Sequence, residues 1–121
     1  MSSRLLAGAG ACIVVLAGCA SPPETTVYRW GIYEDLVYVS YADPGEADPV
    51  TQAQRLDEDI ARTRAEGKRV PPGVHAHLGF LHYTLGDRES ARAHFMRERE
   101  LFPESATFIN GILSRMKEES R

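Results

Sequence analysis

The sequence contains little cysteine, no apolar run long enough to cross a membrane, and no excess of positive charge. There are two cysteines, Cys12 and Cys19, in 121 residues. The apolar run from Leu5 to Ala17 has thirteen residues, whereas a membrane-spanning helix needs about twenty. Lys and Arg total 14 against 17 Asp and Glu, and without a basic stripe we do not expect nucleic acid as a partner.

The N-terminal segment has the features of a processed signal peptide. Arg4 supplies a positive charge, the short apolar run follows, and small residues precede Cys19. The stretch from Leu16 to Cys19, Leu-Ala-Gly-Cys, resembles the bacterial lipobox. That resemblance implies cleavage between Gly18 and Cys19, a diacylated Cys19 sulfur and an acylated new amino group. The alternative is an ordinary secretory signal with an accidental cysteine.

Cleavage would decide both the chemistry and the location of the chain. Cys12 would be discarded with residues 1–18, and Cys19 would be a thioether, which excludes disulfides, thiol catalysis and cysteine metal sites. Two or more acyl chains make membrane attachment stable. Ala20 after the cysteine favours the outer membrane, by resemblance to known lipoproteins, and we expect the periplasmic face. The remaining 103 residues, with formal charge −4, suffice for one domain.

Beyond a tether over residues 19–27, the pattern predicts an all-α domain over residues 28–118. A first helix is expected from Tyr28 to Tyr41, with a strand over Leu36–Tyr41 as the alternative. The apolar stripe of this helix would be Trp30, Tyr33, Val37 and Tyr41. Asp48 is a predicted cap and Pro49 the first residue of a second helix, which ends at about Glu66 before Gly67. Its expected buried positions are Val50, Ala53, Leu56, Ile60 and Thr63, and its expected outer face includes Asp59.

The segment from Pro72 to Ser105 resembles one tetratricopeptide repeat, a hairpin of two antiparallel helices. Leu78, Gly79, Ala91 and Phe95 match the packing positions of that repeat, and Pro103 ends its second helix. The departures are His75, His82 and Glu98, where Trp, Tyr and Ala are usual. A last helix is expected from Glu104 or Ser105 to about Lys117, with Ser105 as its cap. Since one repeat cannot bury its own faces, the flanking helices should supply its neighbours.

Four segments carry a wider family resemblance: Tyr28–Leu36, Pro44–Gly45, Pro71–Gly79 and Leu101–Ser105. They are similar to those of a family of small proteobacterial lipoproteins classed as a domain of unknown function. Members of that family are often encoded beside a lipoprotein similar to the curli secretion channel. The resemblance implies an accessory role at the outer membrane and carries no activity.

The sequence offers little for catalysis. His75, His77 and His82 share a predicted helix, but none of their spacings is the three or four residues that lets two imidazoles share a metal ion. No serine can be matched to a histidine and a carboxylate in a known nucleophile motif, and no glycine loop is suited to phosphate. We therefore predict a protein that is not an enzyme and requires no cofactor.

Binding is the stronger expectation, because helical repeats hold partners on the concave wall of their first helices. The wall positions would be Ala76, His77, Phe80, Tyr83 and Thr84. The alternative is that Phe80 and Tyr83 pack against the second helix. The aromatic residues Tyr28, Trp30 and Tyr33 are likewise either core residues or contacts to lipid headgroups.

Three functional hypotheses follow. The first is a lipid-anchored adaptor that binds a protein partner in an outer-membrane assembly, such as a curli-type secretion channel. The second is an envelope lipoprotein that contacts cell-wall machinery, although a tether of about seven residues reaches only roughly 25 Å. The third is a small-ligand or metal binder that uses the histidines.

Overall fold

The structure is a computed structural model that describes residues 27–46 and 48–120. These residues form five α-helices: α1 (Tyr33–Ala42), α2 (Pro49–Ala65), α3 (Val74–Thr84), α4 (Arg88–Leu101) and α5 (Ala106–Glu119), with a 3₁₀ turn at Pro103–Ser105. No strand occurs among them, so the predicted all-α class is confirmed. The predictions for Gly18, Cys19, the signal peptide and residues 20–26 of the tether lie outside the described residues.

Helices α3 and α4 form the centre of the domain and pack closely at a glycine. Leu78 and Ala91 are fully buried and Phe95 nearly so. A Cβ atom on Gly79 would lie 3.0 Å from the Phe95 ring and 3.1 Å from the Ala91 carbonyl oxygen. The packing positions expected from the sequence are therefore buried where the two helices meet. The turn between the helices passes through Gly86, whose φ of 82° favours glycine.

Two apolar clusters cover the two sides of this helix pair. The first joins α1, α2 and α3 and contains Leu36, Ala53, Leu56, Ile60, Val70, Val74, Leu78 and Leu81. The second joins α4 and α5 and contains Ala91, Phe95, Ile109 and Met116, with Tyr83 packed against it. The first two helices and the last one thus supply the neighbours that a single hairpin lacks.

Helix α1 is shorter than the sequence predicted. It begins at Tyr33 rather than Tyr28, because Gly31 has a φ of 51°, which breaks the helical path. Its buried residue is Leu36, whereas Tyr41 is 85% exposed. The predicted apolar stripe through Tyr41 is wrong, and so is the alternative of a strand.

The segment before α1 is held against α2 by a buried carboxylate. Arg29 Nη1 lies 2.6 Å from Asp59 Oδ1, and the Ile32 amide donates to Asp59 Oδ2 at 3.3 Å. Tyr28 pairs with Arg69 in an isolated bridge, and its ring contacts Phe102. The placement of Asp59 on the outer face of α2 was therefore wrong. Its side chain is buried because it binds a neighbouring segment.

The start of α2 follows its local signals, whereas three other expectations for α2 and α5 are corrected. Asp48 accepts a hydrogen bond from the Thr51 amide at 2.9 Å, as predicted, and α2 ends one residue earlier than expected. Val50 is exposed rather than buried. Ser105 does not cap α5 through its side chain, because its hydroxyl donates to the Phe102 carbonyl oxygen at 2.7 Å.

Glu98 explains one departure from the repeat pattern. Its buried carboxylate accepts hydrogen bonds from the amides of Gly73 at 2.7 Å and Ala76 at 3.2 Å. These are free amides at the start of α3. Glu98 therefore stabilises the first turn of α3 from the neighbouring helix, although burial raises the pKa of its carboxyl group.

Candidate functional site

An open groove of about 560 Å³ lies between α3 and α5, with one residue of α1 at its edge. We call it the α3–α5 groove. Its surface is mainly apolar and aromatic, and its described lining residues are Tyr33, Gly73, Ala76, His77, Phe80, Tyr83, Phe95, Phe108, Ile112, Arg115, Met116 and Glu119. An open, largely apolar concavity with a few polar groups is typical of a binding surface.

Four of the five predicted wall residues lie in this groove. Ala76, His77, Phe80 and Tyr83 line it, because they recur every three or four residues on one face of α3. Thr84 does not line it. It lies in a neighbouring depression between α1, α2 and α3, and its hydroxyl donates to the Phe80 carbonyl oxygen at 3.0 Å.

The two predicted aromatic residues differ in their surroundings. Phe80 is 61% exposed and is therefore not a core residue, although it also borders the depression that α2 residues line. Tyr83 packs against α5, its hydroxyl donates to Glu119, and the Arg88 guanidinium carbon lies 5.4 Å from its ring centroid. The alternative in which both residues pack on the second helix is therefore wrong.

Helix α5 contributes the half of the groove that sequence reasoning missed. Phe108, Ile112, Arg115 and Glu119 follow one another at intervals of three or four residues and share one face. Phe108 is 64% exposed, although it is one of the apolar residues that recur at helical spacing in α5. The signal in the sequence was that Phe108 and Ile112 form a second apolar row on α5, beside the buried residues Ile109 and Met116.

The other aromatic residues near the N-terminal segment pack against protein groups. The Trp30 ring stacks on Tyr33 at a centroid distance of 6.4 Å. Tyr33 in turn meets His77 edge-on at 5.7 Å. Burial lowers the pKa of His77, which favours the uncharged ring in the groove.

A second concentration of ionisable groups lies on another side of α3, where three histidines stack. His75 Nδ1 is 3.1 Å from His94 Nδ1, and the His94 and His82 rings are parallel with centroids 5.3 Å apart. Asp57 of α2 lies within 4.0 Å of both His82 and His94. We call these residues, His75, His82, His94 and Asp57, the histidine cluster.

The cluster keeps its innermost ring neutral. His75 is 2% exposed, and its Nε2 has no hydrogen-bond partner among the described residues. Burial, together with the neighbouring His94, lowers the pKa of His75 to about 4. Burial also lowers the pKa of His94.

The three histidines proposed from the sequence as ligands do not form one site. His77 lies in the α3–α5 groove, whereas His75 and His82 lie in the histidine cluster with His94 of α4. Within residues 27–46 and 48–120, no group of three or more His, Cys, Asp or Glu side chains is arranged to hold a metal ion. Spacing along α3 alone could not reveal the contribution of His94.

Fold and site together define a small all-α domain with an exposed aromatic groove. The sequence profile of a domain of unknown function, DUF4810, matches residues 27–112. The chain therefore belongs to the DUF4810 family. The matched region contains α1 to α4 and the start of α5 through Ile112, and it ends before Arg115. No curated protein and no solved structure matches the chain.

Proposed function

We propose that this protein is a lipid-anchored adaptor of the cell envelope that binds a protein partner through the α3–α5 groove. The anchor would be Cys19, acylated after removal of residues 1–18. The partner would belong to an outer-membrane assembly, such as a secretion channel of the curli type. The proposal adopts for this chain the small-lipoprotein and tetratricopeptide-like character that the sequence resembles.

The observation that carries the adaptor role is the pair of exposed rings on facing helices. Phe80 of α3 and Phe108 of α5 both line the groove and are 61% and 64% exposed. Full burial of a Phe side chain contributes about 1.5–3 kcal/mol. A partner that covers both rings would gain a substantial part of that energy twice. Paired apolar anchors of this kind are typical of grooves that bind a helix or an extended segment.

Separate features support the anchor and the position of the domain. In the described residues no helix is long and apolar enough to cross a membrane. The lipobox-like stretch that ends at Cys19 supplies a membrane attachment of another kind. The seven residues between Cys19 and Val27 span roughly 25 Å at most when extended. A domain on this tether would stay near the bilayer, where a partner in the same membrane is within reach.

The test is affinity purification of the full-length protein from detergent-solubilised envelopes, with mass spectrometry of bound proteins and of the Cys19 peptide. The variants are Cys19→Ala and Phe80→Ala. The matched control is Tyr38→Ala, because Tyr38 is an exposed aromatic residue that does not line the groove. We expect an acylated Cys19 and a stoichiometric partner that Tyr38→Ala retains and Phe80→Ala loses.

Three results would contradict the proposal. An unmodified Cys19 would remove the lipid anchor. A partner retained equally by the wild type and by Phe80→Ala, or no partner in any sample, would remove the binding role of the groove.

A further inference from the structure

Arg115 gives the α3–α5 groove an unbalanced charge. The groove contains one other charged side chain, Glu119, which lies 3.5 Å from Arg88 and accepts a hydrogen bond from the Tyr83 hydroxyl. Arg115 has no hydrogen bond or ion pair with any described residue. It lies one turn beyond Ile112 and two turns beyond Phe108 on the same face of α5.

A bound partner would change the surroundings of this guanidinium group. A segment that covers Phe80 and Phe108 also removes water from Arg115, three residues beyond the lining residue Ile112. Removing water from an uncompensated charge is unfavourable, whereas a carboxylate can restore the lost hydrogen bonds in a two-point contact. A basic side chain at this position would be repelled.

We propose that the groove binds a protein segment in which an Asp or Glu lies beside an apolar anchor residue. The anchor contacts Phe80 and Phe108, and the carboxylate pairs with Arg115. This inference rests on the proposed binding role of the groove and names the chemistry of the partner. In this arrangement Phe80 and Phe108 provide most of the binding affinity, and Arg115 provides the selectivity for an acidic segment.

The experiment is selection of random twelve-residue peptides on phage against the full-length lipidated protein in nanodiscs. Parallel selections use Phe80→Ala, Arg115→Glu and Arg92→Glu. Arg92 is a matched control because it is an exposed arginine of α4 that has no ionic partner among the described residues and does not line the groove. All variants are first checked for wild-type helicity by circular dichroism.

We expect the wild-type and Arg92→Glu pools to be enriched in Asp or Glu within two positions of a large apolar residue. The Arg115→Glu pool should instead favour Lys or Arg. For a recovered peptide, Arg115→Glu should weaken binding at least fivefold, as should Asp→Asn or Glu→Gln in the peptide. In the Arg115→Glu background the same peptide change should have no such effect.

The outcomes separate the two levels of the argument. Peptides that require Phe80 but show no preference for carboxylates would overturn this inference and leave the binding role intact. Failure to recover any peptide that depends on Phe80 would overturn both. An identical effect of Arg92→Glu and Arg115→Glu would assign the preference to net charge and would also overturn the inference.

Discussion

Replacement of His75 with Leu should make the stability of this domain less sensitive to acid. In the unfolded chain His75 binds a proton near its ordinary pKa of 6.5, whereas in the folded chain its pKa is about 4. Between these values the unfolded state binds more protons, so the free energy of unfolding falls as the pH falls. Stability from the neutral ring is fully present above pH 6.5 and is lost toward pH 4.

The magnitude follows from the size of the shift. The fall in the pKa of His75 from 6.5 to about 4 corresponds to about 3 kcal/mol in the free energy of unfolding, at about 1.4 kcal/mol per pH unit. About 2 kcal/mol of this is lost between pH 7.5 and pH 5. The charged groups that act on the cluster from α2 are Asp57 and Arg64. Those on α4 and its cap are Arg97 and Asp87. All four side chains are also present in the His75→Leu variant, so the comparison isolates the contribution of His75.

The assay is urea unfolding followed by circular dichroism at pH 7.5 and pH 5. Leu fills most of the same buried volume and removes the unpartnered Nε2 atom, which offsets the lost contact to His94. At pH 7.5 the variant should therefore lie within about 1 kcal/mol of the wild type. At pH 5 it should have lost about 2 kcal/mol less than the wild type has.

One result would refute the reasoning. If the free energy of unfolding falls by the same amount in the wild type and in His75→Leu between the two pH values, burial in the cluster does not lower the pKa of His75. Raised acid sensitivity in the variant would contradict the sign of the argument as well.

Four further variants test the fold. Gly79→Ala should destabilise the domain by about 1 kcal/mol in thermal denaturation, because the close contact of the new Cβ atom with Phe95 outweighs the gain in helix propensity. The control Gly111→Ala, whose Cβ atom would have no neighbour closer than 3.9 Å, should stabilise it by about 1 kcal/mol. Equal shifts in the two variants would contradict the close packing at Gly79. Asp59→Ala should cost about 2 kcal/mol and speed amide exchange in residues 27–32, and unchanged exchange there would mean that this carboxylate does not hold the segment. Glu98→Ala should cost about 2 kcal/mol in urea unfolding through the first turn of α3, and a variant as stable as the wild type would count against its capping role.

Much of the fold could be predicted because helix signals act over short distances. Asp48, Pro49 and Gly67 bound α2, and Pro103 follows α4 after one residue, as the sequence indicated. Each of these signals depends on neighbours three or four residues away. The burial of Leu78, Ala91 and Phe95 agrees with what the resemblance to a tetratricopeptide repeat implied.

The errors arose where a distant segment supplied the partner. The burial of Asp59 depends on Arg29, thirty residues earlier in the chain. The exposure of Tyr41 shows that a periodic aromatic pattern does not determine which face a helix buries. Four wall residues of α3 were found from the hairpin pattern, but Phe108 and Arg115 required the position of α5.

The sequence by itself determined an all-α chain, the approximate limits of its helices and the face of α3 that lines the groove, because these depend on local hydrogen bonding and on a period of 3.6 residues. Only the tertiary structure decided that α5 completes the groove with Phe108 and Arg115, and that His94 joins His75 across two helices. Both arrangements depend on the angle and register at which helices pack. Those are set by the fit of many side chains at once rather than by any short stretch of sequence.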